Sequence, residues 1–514
     1  MATLEMSPGS SKVPAKRGAL RRFDMILFSV TAIMCLSQVP ITAGLGQSVV
    51  FWTILVIILF FLPYGLITAE LGSTYPDAGG IYSWVARAFG GFWGTQVSWW
   101  YWVNVGIWMP SVYLMFSTLM GQLFGWSIGF WPSVIIAIAL IWINFAINVV
   151  KLDTSKWVAN AAAVITVAVM AVLAIAGAVF AIRHGSANVW SSHTMMPTWA
   201  TIGFLGVVVY NFLGFELMSS ASQEMRDPKR DVPRAILSAG ILIGVMYVLA
   251  VVGMLWLRPL STITATTGLY DALKTGLGSA GVGHAFAFVL CLGALYCFFA
   301  LLIPWTIGAN RAAAESAIRG DLPMVFGRMN PRFGTPVGAA ALTSIVGTVF
   351  TLAYGIIVAV TGATSGVETL FWNLFAFSSI VFMFCYLLLT AAFIKLRHKD
   401  PDTPRPYRVP GGMLGAWIVS VCCFGFVSAG ILFFIWSNPT KPADWSFIGQ
   451  MAIGLAVVGI MGVIFSHFAT HSPDPATLVR PEHPEAGADV ELEGLVPDHA
   501  DDLFRGELHE EGSR

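Results

Sequence analysis

The sequence predicts an all-α polytopic membrane protein of about twelve transmembrane helices, and three observations lead there. Of 514 residues, 56% are hydrophobic and 11% charged, with a mean hydropathy of +0.75, whereas a soluble domain carries about a quarter charged residues. Apolar runs of about 20 residues, the length that crosses the hydrocarbon core, recur along the chain. Lys and Arg gather in alternate loops, the pattern set by the positive-inside rule.

In chain order, residues 1–23 are polar and basic and lead into an apolar run with no small-residue cleavage site, so the first helix is expected to stay in the protein. Spans fall near 24–48, 51–71, 92–121, 128–149, 157–182, 199–224, 235–257, 283–309, 336–361, 368–396, 413–436 and 447–469. With the N-terminus inside, only Arg183, Arg258, Lys274 and Lys441 among the bases before the tail lie outside. Both termini are therefore expected in the cytosol, with the chain in the cytoplasmic membrane. Four regions result: a basic N-terminus at 1–23, a ten-span core at 24–396, two further spans with their cytosolic loop at 397–470, and an acidic tail at 471–514.

That tail holds 12 of the 28 acids and three of the 28 bases, leaving 25 bases against 16 acids elsewhere. It has too few large apolar residues for a core and reads as a disordered solubilising segment. His483, His499 and His509 also admit a pH-sensitive lid over a cytosolic cavity. The six cysteines, at 35, 291, 297, 385, 422 and 423, sit in apolar runs with no CxxC and no histidine pair at ligand spacing. They read as small buried residues, and no metal or cofactor is expected.

Two spans look interrupted. The first contains Cys35-Leu36-Ser37-Gln38-Val39-Pro40, a polar pair before a proline that lacks an N–H, so the helix should break just before Pro40, which is well placed as an early residue of a second half-helix. The sixth contains Tyr210-Asn211-Phe212-Leu213-Gly214-Phe215-Glu216, where an amide and a glycine precede the one carboxylate deep inside a span. Spans one and six open two sets of five, and interrupted segments at matching positions point to an inverted-repeat transporter. Broken backbone in lipid is tolerated only where it lines a cavity. A half-helix N-terminus suits a carboxylate and freed carbonyls suit an ammonium, which fits the head of an amino acid.

Three stretches carry a family resemblance: Ala69-Glu70-Leu71-Gly72-Ser73-Thr74-Tyr75-Pro76 with Gly79-Gly80-Ile81-Tyr82-Ser83-Trp84; Gly214-Phe215-Glu216 with Asp227-Pro228-Lys229-Arg230-Asp231-Val232-Pro233-Arg234; and Trp305 with Gly320-Asp321-Leu322-Pro323 and Gly334-Thr335-Pro336-Val337. In this order on twelve spans they resemble the amino acid, polyamine and organocation transporters. Within these the chain is similar chiefly to the glutamate/GABA antiporters and more distantly to the arginine/agmatine antiporters. The resemblance covers nearly all of residues 20–470. It implies a LeuT-like core of five plus five inverted-repeat helices, with helices 1 and 6 discontinuous, and alternating access around a central site. It also implies that Ser37, Gln38 and Val39 hold the substrate head, with Leu213 and Gly214 at the second break. Tyr210 then takes an aromatic gate position, Trp305 closes over the substrate, and Asn104 lies close to substrate-lining positions.

The sequence departs from the family at two points. Leu36-Ser37-Gln38-Val39-Pro40 is bulkier than the usual glycine-rich run, and residues 160–182 of the fifth span hold no basic residue, with Lys156 only at its cytosolic edge. Glu216 has two roles open to it, a structural carboxylate pairing with freed N–H groups or a proton carrier, since an ionisable group inside a span is costly and functional by default. Glu70, at the cytosolic end of span two, reads as a loop anchor. Asn104 reads equally as a helix–helix hydrogen bonder, and Trp305 also as one packing tryptophan among 19.

Other classes fit poorly. There is no HExxH or GxSxG for an enzyme, no repeated filter or charge ring for a channel, and Arg226 to Arg234 is a topology signal with no nucleic acid expected. The expectation is a secondary transporter of amino acids or their amine products, as a monomer or homodimer. Exchange ranks first and proton symport second, with a transporter-like sensor behind them. With Glu216 as the one carboxylate near the site, a neutral or acidic amino acid is favoured over a dibasic one.

Overall fold

The computed structural model describes residues 22–76, 79–150, 152–217, 228–361, 366–436, 440 and 442–468. The acidic tail at 471–514 and the greater part of the basic N-terminus lie outside the described residues.

Among the described residues, ten helices are long and apolar enough to cross a membrane. The segments predicted as spans one and six are interrupted. Helix α1 (Arg22–Ile33) stops, residues 34–37 turn, and α2 (Gln38–Ala43) resumes. The interruption at 34–37 lies just before Pro40, which sits in the first turn of α2, where its missing N–H costs nothing. The run predicted as 24–48 ends early, since 44–47 form a turn before α3 (Ser48–Thr74).

A short α4 (Ile81–Phe89) precedes the long α5 (Gly91–Phe124), α6 (Phe130–Val149) and α7 (Leu152–His184). Helix α8 (Phe204–Tyr210) stops as predicted, and residues 211–216 leave helical geometry. Then follow α9 (Pro228–Leu257), α10 (Gly268–Leu277), α11 (Gly281–Ile318), α12 (Val337–Thr361), α13 (Gly366–Lys399), α14 (Gly412–Ile435) and α15 (Trp445–Phe468).

Burial sorts these helices into an inner and an outer set. α5 and α13 are the most enclosed, with 83% and 78% of their apolar windows buried, against 17% for α15. α5 packs on α11 and α13, while α1 lies against α7, α9 and α11. The α7–α9 contact is very close: a Cβ on Gly177 would lie 2.4 Å from the Gly253 carbonyl oxygen, so only two glycines allow that approach.

One face carries the basic loops and is tied by charge. Glu70, 1% exposed, accepts from Arg397 on both oxygens, with Nε–Oε1 at 2.8 Å, and from the Val409 N–H at 2.7 Å, while Arg405 stands 3.3 Å away. The anchoring role expected of Glu70 is thus seen in its partners. Beside it the Tyr75 hydroxyl donates to Asp400 at 2.9 Å, and burial, then that hydrogen bond, pushes the phenol up to about 12. Tyr82 donates to Asp321 at 2.5 Å, fastening α4 to the loop after α11.

Candidate functional site

The two interruptions meet in the middle of the bundle, and side chains take up much of the backbone they free. Tyr247 on α9 donates to the Ile33 carbonyl at 3.0 Å and accepts from the Cys35 N–H at 3.0 Å. Trp305 on α11 donates its indole N–H to the Ala32 carbonyl at 2.8 Å. At the second break the Tyr64 phenol oxygen accepts from the N–H groups of Gly214 and Glu216, each at 3.4 Å. Asn211 joins the two breaks by donating to Thr42 Oγ1 of α2 at 2.8 Å. The expectation that freed amides and carbonyls stand open for a ligand therefore holds only in part.

What remains open is side-chain chemistry. Ser37 Oγ, Gln38 Oε1, both amide atoms of Asn104, Trp108 Nε1 and Asn211 Oδ1 are buried without a hydrogen-bond partner. A buried polar atom left unpaired costs about 1–3 kcal/mol, and these five residues carry that cost in the bundle core. Of the two readings open for Asn104, helix–helix hydrogen bonding has no partner to support it. Its neighbours at one helical face of α5, Tyr101 and Trp108, both face Trp305, at ring separations of 6.3 and 5.5 Å.

Aromatic rings close the centre. Phe382 lies 5.3 Å from Trp305 and 5.4 Å from Tyr101. Tyr210, at the end of α8, packs edge-on to Phe375 at 5.1 Å and Trp108 at 6.3 Å. Gly214, at φ +130°, leaves space into which the Trp305 ring fits, 3.1 Å from where a Cβ would stand. Val39 and Leu213 are buried in the same core, and all nine residues singled out from the sequence are buried.

Glu216 has the most elaborate surroundings. Its Oε1 accepts from Tyr101 at 2.9 Å and from Tyr386 at 2.7 Å, and its Oε2 accepts from Tyr64. Three phenols from α3, α5 and α13 thus converge on the one acid of the second break. Sequence reasoning missed these tyrosines, and Tyr247 and Phe382 with them. The signal present was the i, i+3, i+7 spacing of Tyr101, Asn104 and Trp108 on one strip of α5.

With this geometry in hand, the comparisons with known proteins are decisive about family. The model of the amino acid permease family matches residues 20–460. The chain belongs to that family. This permease is a multi-pass membrane transporter and not an enzyme.

A probable agmatine/putrescine antiporter of Lactococcus lactis is 32% identical over 395 residues, spanning 76% of this chain and 82% of the relative. A probable polyamine transporter of Arabidopsis thaliana is 24% identical over 370 residues, spanning 71% and 68%. Among solved structures, a manganese transporter of Eremococcus coleocola superposes with a TM-score of 0.57 at 13% identity, covering 89% of this permease and 98% of that chain. That last likeness speaks for the fold alone.

Proposed function

We propose that this permease exchanges small organic amines, or an amino acid for its decarboxylated amine, across the cytoplasmic membrane by alternating access. The observation that carries the reading is the closed centre, where Trp108 and its neighbour on α5, Asn104, carry unpartnered atoms beside the rings around Trp305, and Ser37 and Gln38 carry others at the first break. Aromatic faces attract ammonium groups by about 0.5–2 kcal/mol each when water is excluded. The C-terminal end of α1 and the carboxylate of Glu216 add negative potential, which favours a cation. A carboxylate, where the substrate has one, would face the N-terminal end of α2.

The names of the relatives support the same substrate class, and they move the choice from the neutral or acidic amino acid favoured by sequence toward a cationic amine. In this reading twelve spans, two of them broken, form a five-plus-five inverted-repeat core with both termini cytosolic. Ser37, Gln38, Val39, Asn104, Leu213 and Gly214 line the substrate, Trp305 and Tyr210 gate it, and Glu216 responds to protons. Proton-coupled symport is the second reading, and the three phenols on Glu216 are what favours it.

A melting series of the purified permease in lipid nanodiscs tests the substrate class, because a ligand that binds the folded state raises its stability. Agmatine and putrescine should raise the midpoint while glutamate leaves it in place. Protection by glutamate alone would overturn the amine reading.

A further inference from the structure

Four buried polar side chains meet beside the closed centre and take part in none of the contacts described there: Tyr113 of α5, Asn144 and Asn148 of α6 and Thr306 of α11. Asn144 Nδ2 donates to the Tyr113 hydroxyl at 3.0 Å, and Asn148 Nδ2 donates to Asn144 Oδ1 at 2.7 Å and to Thr306 Oγ1 at 2.9 Å. Asn148 Nδ2 also lies 3.0 Å from the Asn144 backbone carbonyl, which only accepts, so the end of the Asn148 amide that faces Thr306 is fixed as the donor. Thr306 directly follows Trp305, and neighbouring side chains leave a helix about 100° apart. One is therefore held by α6 while the other reaches α1 and α5.

This turn is where α11 is most pliable. Pro304 has no N–H to offer the Ala300 carbonyl, and prolines are where helices change direction. The Thr306 hydroxyl has one proton and three acceptors for it: the Leu302 and Ile303 carbonyls at 2.8 and 3.1 Å and Asn144 Oδ1 at 3.0 Å. Kept within α11, the proton adds to the bend, as back-bonding threonines do. Given to Asn144, it ties the turn to α6. Asn148 donates to the same oxygen, so α6 grips α11 two residues past its proline. The Trp305 ring has little room to follow a change of bend, since its indole is bonded to Ala32 and its ring lies 3.1 Å from where a Cβ on Gly214 would stand.

We propose that Asn144, Asn148 and Thr306 are positioning residues for the Trp305 gate. They stand outside the substrate site and set the angle of α11 that brings the indole to Ala32 and closes the ring over the centre. The proposal rests on the gating role given to Trp305 above, and its test separates the two.

The full chain is labelled with fluorotryptophan, and the Trp305 signal in its fluorine NMR spectrum is assigned by its loss in Trp305→Ala. Thr306→Val, close in shape but without the hydroxyl, and Asn148→Leu should each shift that signal. Each should also lower the turnover number for transport by about fivefold, the worth of one hydrogen bond made in the closed gate. Thr306→Ser, which keeps the hydroxyl, should leave both at the parent value. A Trp305 signal at the parent position in Thr306→Val and Asn148→Leu overturns the proposal even where the melting midpoint falls, because the network is then a structural tie alone. A shifted signal with parent-level turnover, while Trp305→Ala is slow, overturns it too. Parent-level turnover in Trp305→Ala removes the gate itself, and the inference then falls with that reading.

Discussion

The indole N–H of Trp305 donates to the carbonyl oxygen of Ala32 at 2.8 Å, so a side chain of α11 caps the last turn of α1 at the point where that helix breaks. The proposed gate is thus bonded to the broken helix, and a movement of Trp305 that breaks this bond would free the end of α1.

Trp305→Ala should lower the exchange rate roughly tenfold or more, since a barrier change of about 1.4 kcal/mol already gives that factor. Trp305→Phe, which keeps a ring and loses the N–H, should fall between. Size-exclusion profiles should stay monodisperse in both. Parent-like rates in Trp305→Ala would remove it as a gate.

Glu216→Gln should flatten the dependence of exchange on pH between 5.5 and 7.5, because the amide cannot take up a proton where three phenols meet the acid. Tyr386→Phe removes one of the donors and should alter the profile without abolishing it. A pH profile preserved in Glu216→Gln would return the residue to a structural role.

For Asn104→Leu, melting and binding should move in different directions. Removing an unpartnered buried amide should leave the melting midpoint unchanged or raise it. Amine affinity should drop by about tenfold, one hydrogen bond to a charged group being worth about 1.5–3 kcal/mol. A drop in stability with affinity intact would mean that the amide holds helices together.

Glu70→Ala strands Arg397, 4% exposed, and should cost about 3–5 kcal/mol, as broken buried ion pairs do. The loop at 400–411 should then become open to trypsin after Arg408, the bond after Arg405 being closed to it by Pro406. Resistance equal to that of the parent would show that the loop is held by other contacts.

Gly214→Ala should impair transport more than its one methyl suggests. The position has φ +130°, and the new Cβ would stand 3.1 Å from both Ile33 and the Trp305 ring. Exchange rates at the parent level would show that the break is more forgiving than this geometry implies.

Much of this architecture was legible in the sequence because lipid imposes a coarse code of length and apolarity. Both interruptions announced themselves through Pro40, Gly214 and the polar residues beside them. Pro40 located the first break because a proline fits where a helix restarts, and it stands in the first turn of α2. Ser37, Gln38 and Asn104 were readable as polar residues inside apolar spans. Their being unpartnered was not, since that depends on what the neighbouring helices offer. The phenols on Glu216 come from positions 64, 101 and 386, and no local pattern links residues so far apart in the chain. Tyr247 escaped notice for the same reason: it serves a break more than 200 residues away.

The central claim is exchange of amines, and counterflow in proteoliposomes tests it most directly. Vesicles holding the purified permease are loaded with unlabelled putrescine or left empty, and uptake of radiolabelled agmatine is followed at pH 5.5 and 7.5. The account predicts rapid uptake into loaded vesicles and little into empty ones. Equal uptake into empty vesicles under an imposed proton gradient, with no stimulation by internal amine, would contradict it and establish the symporter.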